Sequence, residues 1–377
     1  MPTIDAIRPA PDTFLNLIRR QERGRLKVYL GSSAGVGKTY AMLGEGRRLK
    51  KQGVDVAIGI VEAYGRAETV EQVGDLEVVP PRRIDYRGVT LREMDVDAIL
   101  ARRPAVCLVD ELAHTNAPGS RRPKRYEDVQ ELLRAGVHVI TTVNIQHLES
   151  LYDQVERITG AKVKERLPDS ILGEADQVVN VDVSTEDLLE RMRAGKIYPP
   201  ERAERAMQNF FTPGNLTRLR ELTLSETAHL IDRRARRAEA DRAPATAAER
   251  VMVGLSSRSP DAPALLRKAS RLADRLNAPW YAVYIETPAE ELSRVDEAAR
   301  AEIRTNLDLA RQLGGVPMTF RGPEVVCTIL AFVREYRIRV IVMGKSRQPW
   351  RRRVLAGSIA DRLLRRSEGV DVMIVDV

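Results

Sequence analysis

The stretch GSSAGVGKTYAML, residues 31–43, follows the short apolar run KVYL and carries residue types that bind phosphate. Gly35 and Gly37, on either side of Val36, let a backbone curl until its N–H groups point inward. Lys38 is spaced to put its ammonium on the β- and γ-phosphates of a nucleotide, and Thr39 to offer a hydroxyl to Mg²⁺. The pattern departs from the usual one at its first glycine: that position is Ser32, and Gly31 falls one place early. The segment GVGKT keeps each group that touches phosphate, so phosphate binding is the expectation.

A phosphate loop needs an acid for its metal. AVCLVDE supplies Asp110 at the end of an apolar run, placed to hold the water shell of Mg²⁺. Glu111 follows directly and reads either as a general base for an attacking water or as a structural carboxylate paired with an arginine. Asn144 ends the run VITTVN and reads either as a sensor of the γ-phosphate or as a strand-end turn residue. His114 and His147 have no cysteine or acid cluster at ligand spacing, which argues against a metal site there.

The elements that must hold these residues follow from patterning. RLKVYL, VDVAIGIV, AVCLVDE, VHVITTVN and DQVVNVDV are β-branched and apolar at nearly every position, as strands buried on both faces of a parallel sheet are. The runs between them have helical period, and RYEDVQELLRAG ends in a glycine suited to a helix C-terminus. Ser184, three residues before Asp187, opens a capped helix, and the helices of PPERAERAMQNFF and NLTRLRELTLSETAHLI follow as a lid or tail. The fold class expected is α/β: a P-loop NTPase-like parallel sheet domain with a helical extension over 23–231, after an N-terminal extension over 1–22. A charged linker over 232–248, poor in large apolar residues, leads to a second domain over 249–377, where five strands and four helices alternate in a doubly wound pattern.

Composition narrows the class. The chain of 377 residues has room for two domains, and no stretch reaches the roughly 18 apolar residues of a membrane span. The N-terminus lacks the basic and apolar regions of a secretory signal, and Cys107 and Cys327 lie far apart in apolar runs, as buried thiols in a reducing cytosol would. The formal charge of +8 invites a nucleic-acid reading, but the arginines are spread among acids along the whole chain, which disfavours it. Two basic clusters, GSRRPKR at 119–125 and SRQPWRRR at 346–353, read either as anion contacts or as solvated surface.

Taken together, AGVGKTYAML, VDELAHTNAPGSRRPKRYEDVQELL, TTVNIQHLESL and FFTPGNLTRLREL resemble the N-terminal cytosolic region of the Kdp-type potassium sensor histidine kinases over about residues 22–230. VEAYGR resembles a further segment of that family, with Tyr64 where a histidine is expected. The remainder resembles the universal stress protein domain that follows in the same family. The resemblance implies a cytoplasmic sensor of potassium limitation or osmotic state, able to be recruited to the inner face of the membrane by a partner. It implies control of a potassium pump through a separate histidine kinase core or a response regulator, with a homodimer also open. The family's membrane helices and kinase core have no counterpart in this sequence, so the expectation is a regulatory rather than a phosphotransferring chain.

The second domain resembles ATP-binding universal stress domains at Gly344, Gly357 and Ser358, with Arg347 in place of that pattern's second glycine. Some family members bind cyclic di-AMP through a Ser-x-Ser element and a spaced Phe-Thr-Ala-x-Tyr. Here Ser257 and Ser259 match the first, and in WYAVY Ala282 and Tyr284 agree with the second while Trp280 and Tyr281 do not. WYAVY reads equally as an aromatic core strand. The function expected is a nucleotide-binding regulator of a Kdp-type two-component system, with ATP and Mg²⁺ at the first site and an adenine nucleotide or cyclic di-AMP at the second. The alternatives are a slow P-loop ATPase using Glu111, or a small-molecule kinase with GSRRPKR as its lid.

Overall fold

The computed structural model describes residues 23–63, 66–240, 249–256, 261–276, 278–287, 297–322, 324–345, 359–367 and 369–376, without the side chains of 67 and 232–240. Two units share the chain: Met1–His147 with Ile158–Leu167 and Glu174–Thr223, and Leu148–Arg157 with Pro168–Gly173 and Leu224–Val377.

The first unit runs β1 (Leu26–Gly31), α1 (Lys38–Lys51), β2 (Val56–Ile60), α2 (Ala67–Val73), β3 (Glu77–Val78), β4 (Arg82–Tyr86), β5 (Val89–Glu93), α3 (Val96–Arg102), β6 (Val106–Val109), α4 (Arg125–Arg134) and β7 (His138–Asn144). α5 (Tyr152–Thr159) and α6 (Asp169–Glu174) fall mostly in the second unit, and the first continues with β8 (Gln177–Val181), α7 (Thr185–Arg193), α8 (Pro200–Gln208) and the start of α9 (Pro213–Ala240), which passes to the second unit at Leu224. Six strands pair in parallel in the order β3-β2-β6-β7-β1-β8. Every residue of β2 and β6 is buried, which is why those runs lack polar alternation. Leu108 packs with Met42, Leu43 and Ile58 in the core under α1, and each such side chain contributes about 1.5–3 kcal/mol.

The sheet order decides the chemistry. β7 lies between β1 and β6, and register pairs Gly31 with Asn144 and Val109 with Thr141. The carboxyl ends of β1, β6 and β7 therefore meet at one edge, where α/β sheets bind ligands. Ser184 Oγ accepts from the backbone N of Asp187 and starts α7 as its spacing predicts.

Two features differ from the expected pattern. β3 adds a sixth strand, and β4 and β5 form an antiparallel hairpin of their own, turned by Arg87 at φ 50° and Gly88 at φ 78°. Residues 232–240, expected to begin the linker, continue helix α9, and 241–248 lie outside the described residues.

The second unit contains β9 (Val251–Leu255), α10 (Ala262–Leu276), β10 (Trp280–Glu286), α11 (Glu297–Gln312), β11 (Val316–Arg321), α12 (Val325–Glu335), β12 (Val340–Gly344), α13 (Ile359–Arg366) and β13 (Asp371–Val375). Its parallel sheet has the order β11-β10-β9-β12-β13. α10 and α11 contribute to one core with Val251, Val253 and Trp280, and α12 and α13 to the other with Met252, Val283 and Ile341. This is the five-stranded doubly wound arrangement expected. One thiol is misplaced by the sequence reading: Cys107 is buried and free, but Cys327, in the first turn of α12, is free and exposed. Its helix is apolar on one face only, and Cys327 falls on the other.

Candidate functional site

The glycine-rich loop joins β1 to α1 and takes the shape its glycines permit. Gly35 has φ 89° and Gly37 has φ 100°, both in the left-handed region that a Cβ disfavours. Gly31, which is offset from the usual pattern, also has a reason: a Cβ there would come 2.6 Å from Val36 Cγ2 and 3.0 Å from Lys38 Cδ. The buried Lys38 donates from Nζ to the carbonyl of Ser33 at 2.8 Å. Burial pulls its ammonium down to about 8, against the opposing attraction of Asp110.

Thr39 Oγ1 lies 3.1 Å from both Oδ1 and Oδ2 of Asp110. Asp110 is 1% exposed and is held from two more sides: Thr142 Oγ1 donates to Oδ1 at 2.5 Å, and the backbone N of Glu62 to Oδ2 at 3.3 Å. Thr142 also accepts from the backbone N of Glu111 at 3.0 Å. Glu111 has φ 52°, a conformation costly for a side chain with a Cβ, and lines the same cleft as Lys38 and Thr39.

The end of β7 completes the floor. Asn144 Oδ1 and Gln146 Oε1 line this cleft, and each is a buried oxygen without a hydrogen-bond partner among the described residues. His147 donates from Nδ1 to the carbonyl of Glu165 at 2.9 Å, and burial lowers its pKa, so its ring is neutral at pH 7. The structure thus brings Gly35, Val36, Gly37, Lys38, Thr39, Asp110, Glu111 and Asn144 into one place; all but Val36 and Asn144 are tied to the site by a bond or backbone geometry stated above, and Asn144 by its position on the wall. Val36 also packs into a core with Leu188, Met192 and Ile197.

That core is where sequence reasoning stopped short. The helical tail is part of the cleft wall. Ile197 occupies the space that a Cβ on Gly35 would need, with Cδ1 2.2 Å from it, and Arg191 donates to the carbonyl of Gly35 at 3.1 Å. Arg66 reaches the carbonyl of Ile197 at 3.3 Å. Arg66, Arg191, Lys196 and Arg202 all line the cleft, whose volume is about 1480 Å³. The apolar spacing in LLERMRAGKI was the available signal, since it marks a helix face that must cover something.

In the cluster at 119–125 the basic side chains have partners within the protein. Arg121 pairs with Asp97 and Glu131, Arg122 with Glu131, and Lys124 donates to Thr115 Oγ1. Arg125 is fully buried, donates to the carbonyl of Asp110 at 3.0 Å, and stands 3.5 Å from Glu93.

In the second unit, Gly344 ends β12 beside β9, where the strand order reverses. Ser257, Ser259, Gly357 and Ser358 lie outside the described residues, as do Tyr64, Arg347 and the cluster at 346–353. The strand WYAVY is core: Trp280 is buried against Gly315, Tyr281 packs on Phe332 and Tyr336, and Tyr284 is 1% exposed. This burial is what the aromatic-core reading of the strand expects.

The two sheets and the cleft define a two-unit α/β protein whose first unit gathers a glycine-rich loop, an acid and a basic tail at the carboxyl edge of a parallel sheet. The family model for the osmosensitive K⁺ channel His kinase sensor domain (KdpD) matches residues 22–231, and that for the universal stress protein family matches residues 247–376. The sensor protein KdpD of Escherichia coli (strain K12) is 44% identical over 375 residues, 98% of this chain and 41% of that protein. A putative sensor protein KdpD of Synechocystis sp. is 43% identical over 353 residues, 94% of each chain. The chain belongs to the KdpD family. It spans about two fifths of the length of the first curated relatives that it matches, the KdpD proteins of E. coli and Mycobacterium tuberculosis. Among the described residues no helix is long and apolar enough to cross a membrane.

Proposed function

We propose that this chain is a cytosolic nucleotide-binding regulator of a Kdp-type two-component system that controls potassium uptake and the osmotic response. The first unit binds ATP with Mg²⁺ at the glycine-rich loop, and the second binds an adenine nucleotide or cyclic di-AMP near Gly344. The carrying observation is the meeting of Thr39 and Asp110 at 3.1 Å beside the buried Lys38. A lysine stripped of water at the start of a helix gains its counter-charge from a phosphate chain.

The donor set fits Mg²⁺, which takes oxygen ligands, few carboxylates and several waters. Thr39 would ligate it, Asp110 and the unpartnered Asn144 Oδ1 would hold its waters, and bound there it would neutralise charge on the β- and γ-phosphates. Thr142 keeps the Asp110 carboxylate turned toward Thr39, so the chain orients the acid before any ligand arrives. Occupancy of the two units is read out by a histidine kinase core or a response regulator. Calorimetric titration of the whole chain and of Lys38→Ala with ATP and with cyclic di-AMP separates the sites. Loss of ATP binding in the variant with the second ligand unaffected supports this reading; unchanged ATP binding contradicts it.

A second reading, slow ATP hydrolysis, is favoured by the backbone of Glu111, held at φ 52° beside Asp110 by Thr142. Glu111→Gln would then stop phosphate release while ATP still binds, and equal release from both proteins would reject it.

A further inference from the structure

The cleft holds more positive charge than a glycine-rich loop needs. Lys38 is one cation; α7 and α8 bring Arg191 and Arg202 to the same cavity. Lys196 is paired with Glu68 at 2.8 Å, but neither Arg191 nor Arg202 has a carboxylate within ion-pair distance among the described residues. Arg191 rests on the carbonyl of Gly35, and its Nη1 is 4.0 Å from where a Cβ on Gly37 would sit. Arg202 lies over the ring of Tyr198, 5.7 Å from its centroid. Guanidinium groups stay charged at any physiological pH, and in the cleft lining the cations Lys38, Arg47, Arg66, Arg191, Lys196 and Arg202 outnumber the carboxylates Glu68, Glu71, Asp110, Glu111 and Glu165. The start of α1 at Lys38 adds to that field.

We propose that Arg191 and Arg202 bind the terminal phosphates of the nucleotide held by the loop, so that the helical tail is a phosphate-counting element of the site. This rests on the nucleotide reading of the first unit. When a nucleotide binds, Arg191 exchanges the Gly35 carbonyl for phosphate oxygen, a stronger, charge-assisted partner. Val36 and Ile197 keep the tail packed on the loop during that exchange. A triphosphate offers one more anionic group than a diphosphate, so tail contacts discriminate between the two. Loop contacts made mainly to the inner phosphates do not.

The test is calorimetry of the full chain with Mg–ATP and with Mg–ADP, on the wild type, Arg191→Met, Arg202→Met and the control Arg193→Met. Arg193 is exposed on the same helix and does not line the cleft. Arg191→Met should weaken ATP about tenfold or more and ADP less than about threefold, the differential expected of a lost charged hydrogen bond to the outer phosphate. Arg202→Met changes an exposed side chain and folds regardless; it should show the same preference with a smaller loss. Arg193→Met should match wild type. Equal losses for ATP and ADP in Arg191→Met, or no loss in either tail variant, overturn the proposal while leaving ATP binding at the loop intact. Absence of ATP binding by the wild type overturns both.

Discussion

Thr39 Oγ1 stands 3.1 Å from both carboxylate oxygens of Asp110, although 71 residues separate them in sequence. The contact exists because β1 and β6 end at the same edge of the sheet with β7 between them. Thr142, near the end of that intervening strand, fixes the carboxylate with a 2.5 Å bond and leaves it facing the loop. This is the contact on which the proposed Mg²⁺ assignment rests.

Asp110→Asn tests that assignment, because it keeps shape and removes charge. ATP affinity in Mg²⁺ should fall about tenfold or more, while affinity measured in a chelator should change little. An unchanged ratio between the two conditions would show that Asp110 does not hold the metal.

Lys38 sets a pH dependence. Burial lowers its pKa to about 8 from an ordinary 10.5, so the ligand-free side chain loses its proton as pH rises through about 8. A phosphate favours the charged form. Binding at pH 9 should therefore take up a proton, and affinity should fall by up to about tenfold per pH unit above 8. Stability of the ligand-free chain runs the other way. The folded state binds fewer protons than the unfolded state between about pH 8 and 10.5, so the cost of burying this lysine is full below that window and relieved as pH rises through it. Calorimetry in buffers of different ionisation enthalpy reads the uptake; none at pH 9 would contradict the assignment.

Gly35 and Gly37 separate backbone strain from tail packing. Both have positive φ, but only Gly35 has Ile197 where a Cβ would go. Gly35→Ala should lose about 1–3 kcal/mol more stability than Gly37→Ala in urea unfolding, because overpacking adds to the strain that both share. Equal losses would mean that the tail yields freely.

Much of this arrangement was legible in the sequence. The strands stood out because β2 and β6 are buried on both faces, and the loop because its glycines precede a lysine and a threonine. The hairpin of β4 and β5 was hidden by its charges: RRIDYRGVTLRE is half-exposed and lacks an apolar run. The roles of Thr142, Arg125 and Arg191 were out of reach for a different reason. Each acts on a backbone or carboxylate group far away in sequence, through a contact that only the order of strands and the docking of the tail create. Cys327 was misjudged because an apolar neighbourhood says nothing about which helix face a residue takes.

Arg125 supplies a prediction on stability. It is the buried cation between the carbonyl of Asp110 and the carboxylate of Glu93. Burial alone would raise the pKa of Glu93, but hydrogen bonds from His114 and the backbone of Ala117, with the charge of Arg125, bring it below the usual range. Arg125→Met should cost about 3–5 kcal/mol in chemical unfolding, since it strands a buried charge. Adding Glu93→Gln should recover part of that loss, and strict additivity of the two changes would argue against the pairing.

The central claim, that the first unit is a nucleotide site built on the loop, is tested most directly by titrating Mg–ATP into the full chain and into Lys38→Ala. The account predicts one saturable site in the first unit of the wild type that the variant lacks, with both proteins melting as folded chains. Equal heats and equal affinities in the two would contradict it.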